Sequence, residues 1–332
     1  MAQPVTTKDI TVGITRKLPD SIEERLKMLF RVEENLGTEN LSPAALLEMA
    51  KKVDVLAPTL GDRLDANFFE QVGDRLKMIA NFGAGVDHID IDEAHKRGIL
   101  VTNTPSVLAD DAADMAMALI LAVPRRLVEG VRALDRGDFT GWSPTWLLGS
   151  RVRGKKLGII GLGRVGQAIA RRASAFDLEI HYHNRAPINQ HMEKELKATY
   201  WESLDQMLAR VDIVSVNCPH TPATYHLLSK RRLNLLQPHA YIVNVSRSEI
   251  IDEEELAIMI SEGKLAGAGL DVFQGENNSN DVLMRAPNVL LLPHMASATV
   301  ESRNDMGESM IISIKMWADG HRPLNRVIPG MD

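Results

Sequence analysis

The sequence predicts an α/β protein made of two doubly wound parallel-sheet domains. Short runs of β-branched and aliphatic residues alternate with helical patterns along the chain, which is typical of parallel sheets covered by helices on both faces. The chain has 332 residues, enough for two domains of ordinary size. The strand-like runs are too numerous for one compact sheet, so we expect each domain to contain a sheet of its own.

The strand-like runs divide at a long helical stretch. They cover residues 10–15, 53–58, 77–82, 99–103, 157–161, 178–183, 212–217, 240–245, 265–270 and 288–293. Between the fourth and fifth runs, residues 107–137 have the pattern of one long amphipathic helix. Residues 298–320 have the pattern of another, which we expect to pack on the first domain. The predicted domains are therefore residues 1–103 with 300–332, and residues 104–299.

Composition and charge exclude several classes of protein. The chain has 38 Lys and Arg against 44 Asp and Glu, and its longest basic run is residues 230–232, so we expect no nucleic-acid partner. The longest apolar run, residues 115–123, is too short to span a membrane, and the N-terminus lacks the apolar segment of a signal peptide. The single cysteine, Cys218, cannot form an internal disulfide. We expect a cytoplasmic protein with no membrane partner.

A glycine motif follows the strand-like run at residues 157–161. Gly161, Gly163 and Gly166 have the spacing G-x-G-x-x-G and lead directly into a helical pattern. In dinucleotide-binding domains the first glycine permits a tight turn, the second lets a pyrophosphate approach the backbone, and the third lets the helix pack closely on the strand. An ordinary glycine-rich turn is the alternative. The flanking strands and helix favour a Rossmann domain that binds NAD or NADP.

Two residues at the end of the next strand bear on the choice of cofactor. NAD-binding domains usually have an acidic residue there, about 20 positions after the glycines, to bind the ribose hydroxyls. This chain has Asn184 and Arg185 instead. The carboxylate that would repel the 2′-phosphate of NADP is absent, and a guanidinium matches phosphate geometry. We predict that NADP(H) is preferred and NAD(H) is usable. The alternative for Arg185 is a solvated loop residue.

Polar residues follow three further strand-like runs. They are Arg247, Asp271 with Glu276, and His294. Taken singly, they have simpler interpretations: a surface ion pair for Arg247, a loop carboxylate for Glu276 and a helix cap for His294. Taken together, they suit the reduction of a 2-oxo acid. A guanidinium binds a carboxylate with two hydrogen bonds, and a histidine exchanges a proton near neutral pH.

Three carboxylates and a histidine are clustered at residues 87–92. The cluster lacks the glycine and the distal glutamate of a calcium-binding loop. Asp90 or Asp92 suits the position just before a helix, where a carboxylate accepts backbone N–H groups. We therefore predict a helix cap here and no metal site.

The chain resembles the D-2-hydroxyacid dehydrogenase family over nearly its whole length. The similar segments are residues 81–92, 103–119, 157–173, 217–229, 242–256, 265–276 and 291–299. The resemblance implies that Arg247 binds the carboxylate and keto oxygen of a 2-oxo acid, that His294 is the acid and base, and that Glu276 pairs with this histidine. It also implies that the backbone of Ala84 and Gly85 holds the substrate carboxylate.

The same resemblance implies the cofactor contacts and the assembly. Besides the glycines and the strand end already named, the implied contacts are Arg164, Val165, Cys218, Pro219, Thr224, Val245, Ser246, Asp271, His294 and Ala296. Asp271 would lie near the nicotinamide, and Cys218 near the adenine. The helical stretch at 107–137 resembles the dimerisation segment of the family, so we expect a homodimer. Trp142 and Trp146 would then be buried against the neighbouring subunit or, alternatively, packed on their own chain.

The chain departs from the family pattern at a few positions. Gln274 and Asn277 interrupt a segment that is usually more acidic, so the assignment of the histidine's partner depends on Glu276 alone. Ser248 and Ala296 replace glycines that are usual in the family. Each adds a Cβ atom, so we expect the backbone at both positions to be compatible with L-residues.

Within the family, the glyoxylate/hydroxypyruvate reductases resemble this chain best. We therefore expect the reduction of glyoxylate or hydroxypyruvate to the D-2-hydroxy acid. One alternative is a dehydrogenase for another 2-hydroxy acid. The alternative from a different class is a nucleotide-sensing regulatory protein with the same fold. The retention of Arg247, Glu276 and His294 favours the enzyme, because a sensor needs only the cofactor site.

Overall fold

The computed structural model describes residues 9–35, 37–105, 107–274 and 281–330. The chain separates into two compact units: unit 1 comprises Met1–Leu108 with Ala298–Asp332, and unit 2 comprises Ala109–Ser297. The first boundary therefore falls after residue 108 instead of 103, and the second after residue 297 instead of 299.

Strands and helices alternate through both units. The strands in the described residues are β1 Thr11–Ile14, β2 Arg31–Glu34, β3 Val55–Ala57, β4 Met78–Ala80, β5 Leu100–Thr102, β6 Lys156–Ile160, β7 Glu179–His183, β8 Thr199–Tyr200, β9 Ile213–Val216, β10 Tyr241–Asn244, β11 Gly267–Leu270, β12 Val289–Leu291 and β13 Arg326–Val327. The helices are α1 Asp20–Leu29, α2 Pro43–Ala50, α3 Ala66–Gln71, α4 Ile91–Lys96, α5 Ala109–Ala122, α6 Leu127–Asp135, α7 Arg164–Ser174, α8 Gln190–Leu196, α9 Leu204–Leu208, α10 Lys230–Leu233, α11 Glu253–Ser261, α12 Asp281–Arg285 and α13 Val300–Ala318. Among the described residues, none of these helices combines the length and the apolar character needed to cross a bilayer.

Unit 1 contains a six-stranded sheet in the order β13-β5-β4-β3-β1-β2. Its strands pair in parallel except for β13, which is antiparallel to β5. Strands β1, β3 and β4 are buried at every position, as expected for a sheet covered on both faces.

Helix α13 returns to unit 1, as the sequence predicts. Its residues Met310 and Ile314 are buried in the same hydrophobic core as Ile22 and Leu26 of α1. A Cβ atom at Gly307 would lie 2.4 Å from the side chain of Ile22. The close contact between α13 and α1 therefore requires a glycine at this position.

Unit 2 contains a seven-stranded sheet in the order β12-β11-β10-β9-β6-β7-β8, and all its strands pair in parallel. The strand order reverses between β6 and β9. Open α/β sheets bind their ligands outside the carboxyl ends of the strands at such a point. The loops that follow β6, β7, β9, β10, β11 and β12 all lie on this side of the sheet, and we call them the carboxyl edge of unit 2.

The predicted fold class is confirmed, and the structure contains three strands that the sequence pattern does not predict. Every strand-like run of the sequence contains a strand. The strands that the pattern does not predict, β2, β8 and β13, all lie at sheet edges. β8 and β13 have two residues each, and β2 has the charged sequence RVEE, so none has an apolar signature.

The prediction of one long helix over residues 107–137 is wrong, because the structure has two helices, α5 and α6. They are separated by residues 123–126. Pro124 lies in the break, where its ring and missing N–H prevent a helix from continuing. Arg126, the residue before α6, has a left-handed φ of 55°.

Candidate active site

The turn after β6 shows what each glycine does. Gly161 has a φ of 93°, and a Cβ atom there would lie 2.7 Å from the backbone nitrogen of Cys218. A Cβ atom at Gly166 would lie 2.4 Å from the carbonyl oxygen of Gly161, so α7 packs directly on the strand end. A Cβ atom at Gly163, by contrast, would meet nothing within 4 Å. The second glycine therefore leaves the space beside the backbone that a pyrophosphate needs.

Helix α7 begins at this turn with an uncapped N-terminus. Gly163 occupies the N-cap position and has no side chain to cap the helix, and no side chain among the described residues accepts an N–H group of the first turn. Arg164 and Val165 belong to the first turn, where N–H groups have no intrahelical acceptor. Such a terminus attracts anions through its free donors and its dipole. The turn and the helix together fit the pyrophosphate of a dinucleotide.

Asn184 ties the end of β7 to the glycine turn. Its Oδ1 accepts the backbone N–H of Leu162 at 2.7 Å. Its Nδ2 donates to no group among the residues that the structure describes. Arg185 follows immediately and is exposed. An amide donor and a guanidinium therefore stand where NAD-binding domains usually have a carboxylate.

Hydroxyl groups hold the loops after β9 and β10. Thr224 Oγ1 donates to the carbonyl oxygen of Pro219 at 2.7 Å and accepts the N–H of Thr221 at 2.8 Å. Ser246 Oγ donates to the carbonyl oxygen of Cys218, which joins the two loops. Burial raises the pKa of the Cys218 thiol to about 11. This thiol is therefore protonated at neutral pH and is no nucleophile.

Arg247 follows β10 in a turn shaped by a buried amide. Asn244 Nδ2 donates to the carbonyl oxygen of Arg247 at 2.9 Å, and Asn244 Oδ1 accepts the N–H of Ser246 at 3.0 Å. Arg247 Nη1 donates to the carbonyl oxygen of Ser246 at 2.9 Å. Val245 lies half-buried inside the same turn. Asn244 was not among the residues predicted from the sequence, although a polar residue at the end of an otherwise apolar strand was a visible signal.

Asp271 binds the loop that contains His294. It is fully buried after β11, and its two carboxylate oxygens accept the N–H groups of Met295 and Ala296, each at 2.8 Å. The carbonyl oxygen of Asp271 accepts the N–H of His294 at 2.9 Å. Burial raises the pKa of Asp271, and the two backbone hydrogen bonds oppose this rise because they stabilise the carboxylate.

The backbone of His294 has a left-handed φ of 51°. This conformation is uncommon for a residue other than glycine and persists only where surrounding contacts enforce it. The hydrogen bonds to Asp271 supply those contacts. Ser248 and Ala296, which replace family glycines, do not have positive φ values, so L-residues fit there as expected.

Glu276, the predicted partner of His294, lies outside the described residues, and so does Asn277. Gln274 is the last described residue before them, and its N–H donates to Glu253 Oε2 at 2.8 Å. The pairing of Glu276 with His294 therefore stays a prediction.

In unit 1, two asparagines hold the loop that contains Ala84 and Gly85. Asn81 Nδ2 donates to the carbonyl oxygens of Gly83 and Gly85, at 3.0 and 2.9 Å. Asn103 Nδ2 donates to the carbonyl oxygen of Ala84 at 2.7 Å. Neither asparagine was selected from the sequence, because an isolated Asn beside a strand has no distinctive pattern.

The N–H groups of the same loop have no acceptor in the part of the chain that the structure describes. Within the described ranges, none of the N–H groups of residues 83–86 donates to backbone or side chain. In suitable turns, successive backbone N–H groups bind an anion together. The loop that the family resemblance assigns to the substrate carboxylate thus has the donors that a carboxylate needs.

The acidic cluster at residues 87–92 contains the predicted helix cap. Asp90 precedes α4, and its Oδ1 accepts the N–H of Glu93 at 2.9 Å.

Comparison with known proteins finds relatives that cover nearly the whole chain. The family model for the D-isomer specific 2-hydroxyacid dehydrogenase, NAD binding domain, matches residues 117–296, which lie within unit 2. The glyoxylate reductase of Thermococcus onnurineus is 40% identical over 316 residues, which cover 94% of this chain and 94% of the relative. That of Thermococcus litoralis is 39% identical over 320 residues, 95% of this chain and 96% of the relative.

Solved structures agree in fold. An NADPH-dependent glyoxylate/hydroxypyruvate reductase from Sinorhizobium meliloti, in complex with NADP and malonate, is 34% identical with a TM-score of 0.83 over 96% of both chains. A glyoxylate reductase from Paecilomyes thermophila is 28% identical with a TM-score of 0.86, over 97% of this chain and 99% of that one. This chain therefore belongs to the D-isomer specific 2-hydroxyacid dehydrogenase family of NAD(P)-dependent oxidoreductases.

Proposed function

We propose that this protein reduces glyoxylate or hydroxypyruvate to the D-2-hydroxy acid, with NADPH as the preferred reductant. The observation that carries the proposal is that Arg247 and His294 follow strands at the same carboxyl edge as the glycine turn and the uncapped N-terminus of α7. The relatives named above as glyoxylate reductases support the choice of substrate.

Arg247 binds the carboxylate of the 2-oxo acid in this proposal. A planar guanidinium donates two parallel hydrogen bonds to a carboxylate, so it fixes the orientation of the substrate as well as its charge. The turn held by Asn244 fixes the backbone from which the Arg247 side chain extends. On family resemblance we also assign the backbone of Ala84 and Gly85 to the substrate carboxylate, and the N–H groups of residues 83–86, which donate to no described residue, are the donors that this role needs.

His294 donates a proton to the keto oxygen as the carbonyl carbon is reduced. Bound NADPH supplies the hydride for that carbon. A histidine suits the proton transfer because its ordinary pKa lies near neutral pH. Asp271 holds the backbone of the loop, and this fixes the position from which the His294 side chain extends. We assign the orientation of the ring to Glu276 on family resemblance.

The preference for NADPH follows from Asn184 and Arg185. Asn184 Nδ2 has no acceptor among the described residues, and an amide donor suits a phosphate oxygen. The exposed Arg185 adds a charged donor at the next position. A hydrogen bond to a charged group contributes about 1.5–3 kcal/mol, or roughly one to two powers of ten in affinity. We expect a preference for NADPH of about that size.

We propose a homodimer that buries α6 and the segment after it. Leu127, Val131 and Leu134 of α6 are 55%, 59% and 63% exposed, and Trp142 is 85% exposed. Monomers seldom expose so many large apolar side chains together. Light scattering of the purified protein should give the mass of two chains, and Val131→Glu with Leu134→Glu should give one. A wild-type monomer would contradict this proposal.

The product tests the proposed reaction most specifically. Purified protein is incubated with hydroxypyruvate and NADPH, and the glycerate formed is separated on a chiral column. We expect D-glycerate, in an amount equal to the NADPH consumed. L-glycerate would contradict the proposed stereochemistry. A protein that binds NADPH but forms no hydroxy acid from either substrate would instead be a nucleotide sensor.

A further inference from the structure

The carbonyl oxygens of residues 83–86 are all occupied by donors. Asn81 Nδ2 reaches Gly83 and Gly85, and Asn103 Nδ2 reaches Ala84. The Gly83 carbonyl also accepts the N–H of Thr104 at 2.9 Å, and the Val86 carbonyl accepts that of Ile89 at 2.9 Å. The N–H groups of residues 83–86, as noted, have no acceptor in the described chain. Every acceptor of the loop is therefore bound, and its donors are left for a ligand.

Binding of the carbonyl oxygens fixes the direction of the N–H groups. The two groups of a planar trans peptide point in opposite directions. A donor that holds the carbonyl oxygen of residue 83, 84 or 85 therefore aims the N–H of the following residue away from that donor. Asn81 and Asn103 hold three successive peptides in this way.

His88 determines the orientation of the Asn81 side-chain amide. Its Nε2 is 3.1 Å from Asn81 Oδ1, and because an amide oxygen only accepts, Nε2 is the donor. Rotation of the amide by half a turn would place Oδ1 against the carbonyl oxygens of Gly83 and Gly85, where acceptor would face acceptor. The hydrogen bond from His88 opposes this rotation. Asn81 is 1% exposed, so water does not compete for these groups.

We propose that Asn81, Asn103 and His88 are positioning residues that hold the backbone of residues 83–86 as the anion site for the substrate carboxylate. None of the three contacts the reacting atoms in this proposal. They act by aiming the N–H groups, and so they set the affinity for the carboxylate more than the rate of the chemical step. The assignment of the anion as the substrate rests on the proposed function.

The test compares Asn81→Asp and Asn103→Asp with Asn67→Asp. Aspartate has the shape of asparagine but no amide donor, so it places an oxygen against the carbonyl that it should hold. Asn67 is an exposed residue of the same unit, so Asn67→Asp adds the same charge without touching the loop. We expect the KM for glyoxylate to rise at least about tenfold in the first two variants, with a smaller change in kcat. Asn67→Asp should match the wild type.

A binding measurement makes the test independent of turnover. Oxalate has carboxylates but no carbonyl that a hydride can reduce. Its Kd, measured by calorimetry on the protein saturated with NADPH, should rise by the same factor as KM in Asn81→Asp and Asn103→Asp. The Kd for NADPH should stay within about twofold of the wild-type value in all variants. A purely structural defect would lower Tm and weaken the binding of both oxalate and NADPH.

The His88 variants separate positioning from packing. His88→Gln retains an N–H donor that can reach Asn81 Oδ1, whereas His88→Leu has none. We expect His88→Gln to keep most of the affinity for oxalate and His88→Leu to lose it. Equal affinities in these two variants would remove His88 from the proposal. This pair also serves if the buried Asn81→Asp does not fold.

Three results of these experiments separate a failure of the positioning role from a failure of the proposed function. If the wild type binds oxalate but does not reduce glyoxylate, the proposed function fails and the anion site stands. If the wild type reduces glyoxylate while Asn81→Asp and Asn103→Asp leave KM and the oxalate Kd unchanged, the positioning role fails alone. A wild type that does not bind oxalate at all overturns the anion site.

Discussion

The carboxylate of Asp271 accepts the backbone N–H of Ala296 at 2.8 Å, two residues beyond His294. With the matching bond from Met295, it closes the loop in which His294 has its left-handed backbone. Asp271 is fully buried, so these bonds form where water cannot replace them. The position of the proposed acid thus depends on a residue from the neighbouring strand.

We expect Asp271→Asn to lower kcat and stability together. One oxygen would be replaced by an amide donor that faces a backbone N–H, so one buried charge-assisted hydrogen bond is lost, about 1.5–3 kcal/mol. Steady-state kinetics should show kcat reduced at least about tenfold, and calorimetry should show a lower Tm. Asp74→Asn, at an exposed position outside α6, is the control. Wild-type kcat in Asp271→Asn would show that the loop holds its geometry without this carboxylate.

His294→Asn should remove the acid while keeping the backbone. Asparagine tolerates the left-handed conformation better than other residues with a Cβ atom. We expect kcat to fall by ~10²–10⁴, the usual contribution of a general acid, with NADPH binding nearly intact. His294→Ala should lose kcat similarly and should also be less stable, since alanine is strained at a φ of 51°. More than about half of the wild-type kcat in either variant would remove His294 from this role.

Arg247→Lys should raise the KM for glyoxylate as well as lower kcat. Lysine keeps the positive charge but cannot form the two parallel hydrogen bonds of a guanidinium. The turn around Asn244 involves the backbone of residue 247 and should persist in the variant. Initial rates at varied glyoxylate concentration measure both constants. An unchanged KM would indicate that another group binds the carboxylate.

The cofactor preference should reverse in Asn184→Asp. Aspartate can still accept the N–H of Leu162 through one oxygen, so the glycine turn stays tied to β7. The second oxygen then binds ribose hydroxyls and repels a 2′-phosphate. We expect kcat/KM to favour NADH in this variant, and Arg185→Ala to reduce the preference for NADPH. Asn189→Asp, an exposed residue nearby, controls for added charge. A wild-type kcat/KM for NADH equal to or above that for NADPH would contradict the assignment.

Cys218 should react slowly with alkylating reagents in the native protein. Its raised pKa, about 11, leaves a far smaller thiolate fraction near pH 8 than a free cysteine has. Only the thiolate reacts with the reagent, so the rate of alkylation should increase as the pH rises toward 11. The chain has one cysteine, so mass spectrometry after iodoacetamide reports this site alone. Labelling at the rate of an unfolded control would show that the thiol is neither buried nor shifted.

The sequence predicts the fold and part of the candidate site, for identifiable reasons. Buried parallel strands have apolar runs, and the glycine spacing of the turn after β6 has a direct steric meaning, so both are visible in the sequence. The break at Pro124 was missed because the apolar periodicity continues across it. Asn81, Asn103 and Asn244 were missed because their roles depend on which backbone carbonyls lie beside them after folding. The left-handed backbone of His294 has no sequence signature, since histidine seldom adopts it.

The rate of NADPH oxidation with glyoxylate, measured by the absorbance of the reduced nicotinamide, is the most direct test of the proposed reaction. Wild type and His294→Asn are compared at equal concentration, after both have been shown to bind NADPH. We expect oxidation that requires both glyoxylate and His294, and that is faster with NADPH than with NADH. A wild type that binds NADPH yet oxidises it no faster with glyoxylate than without would contradict the proposed reduction of glyoxylate.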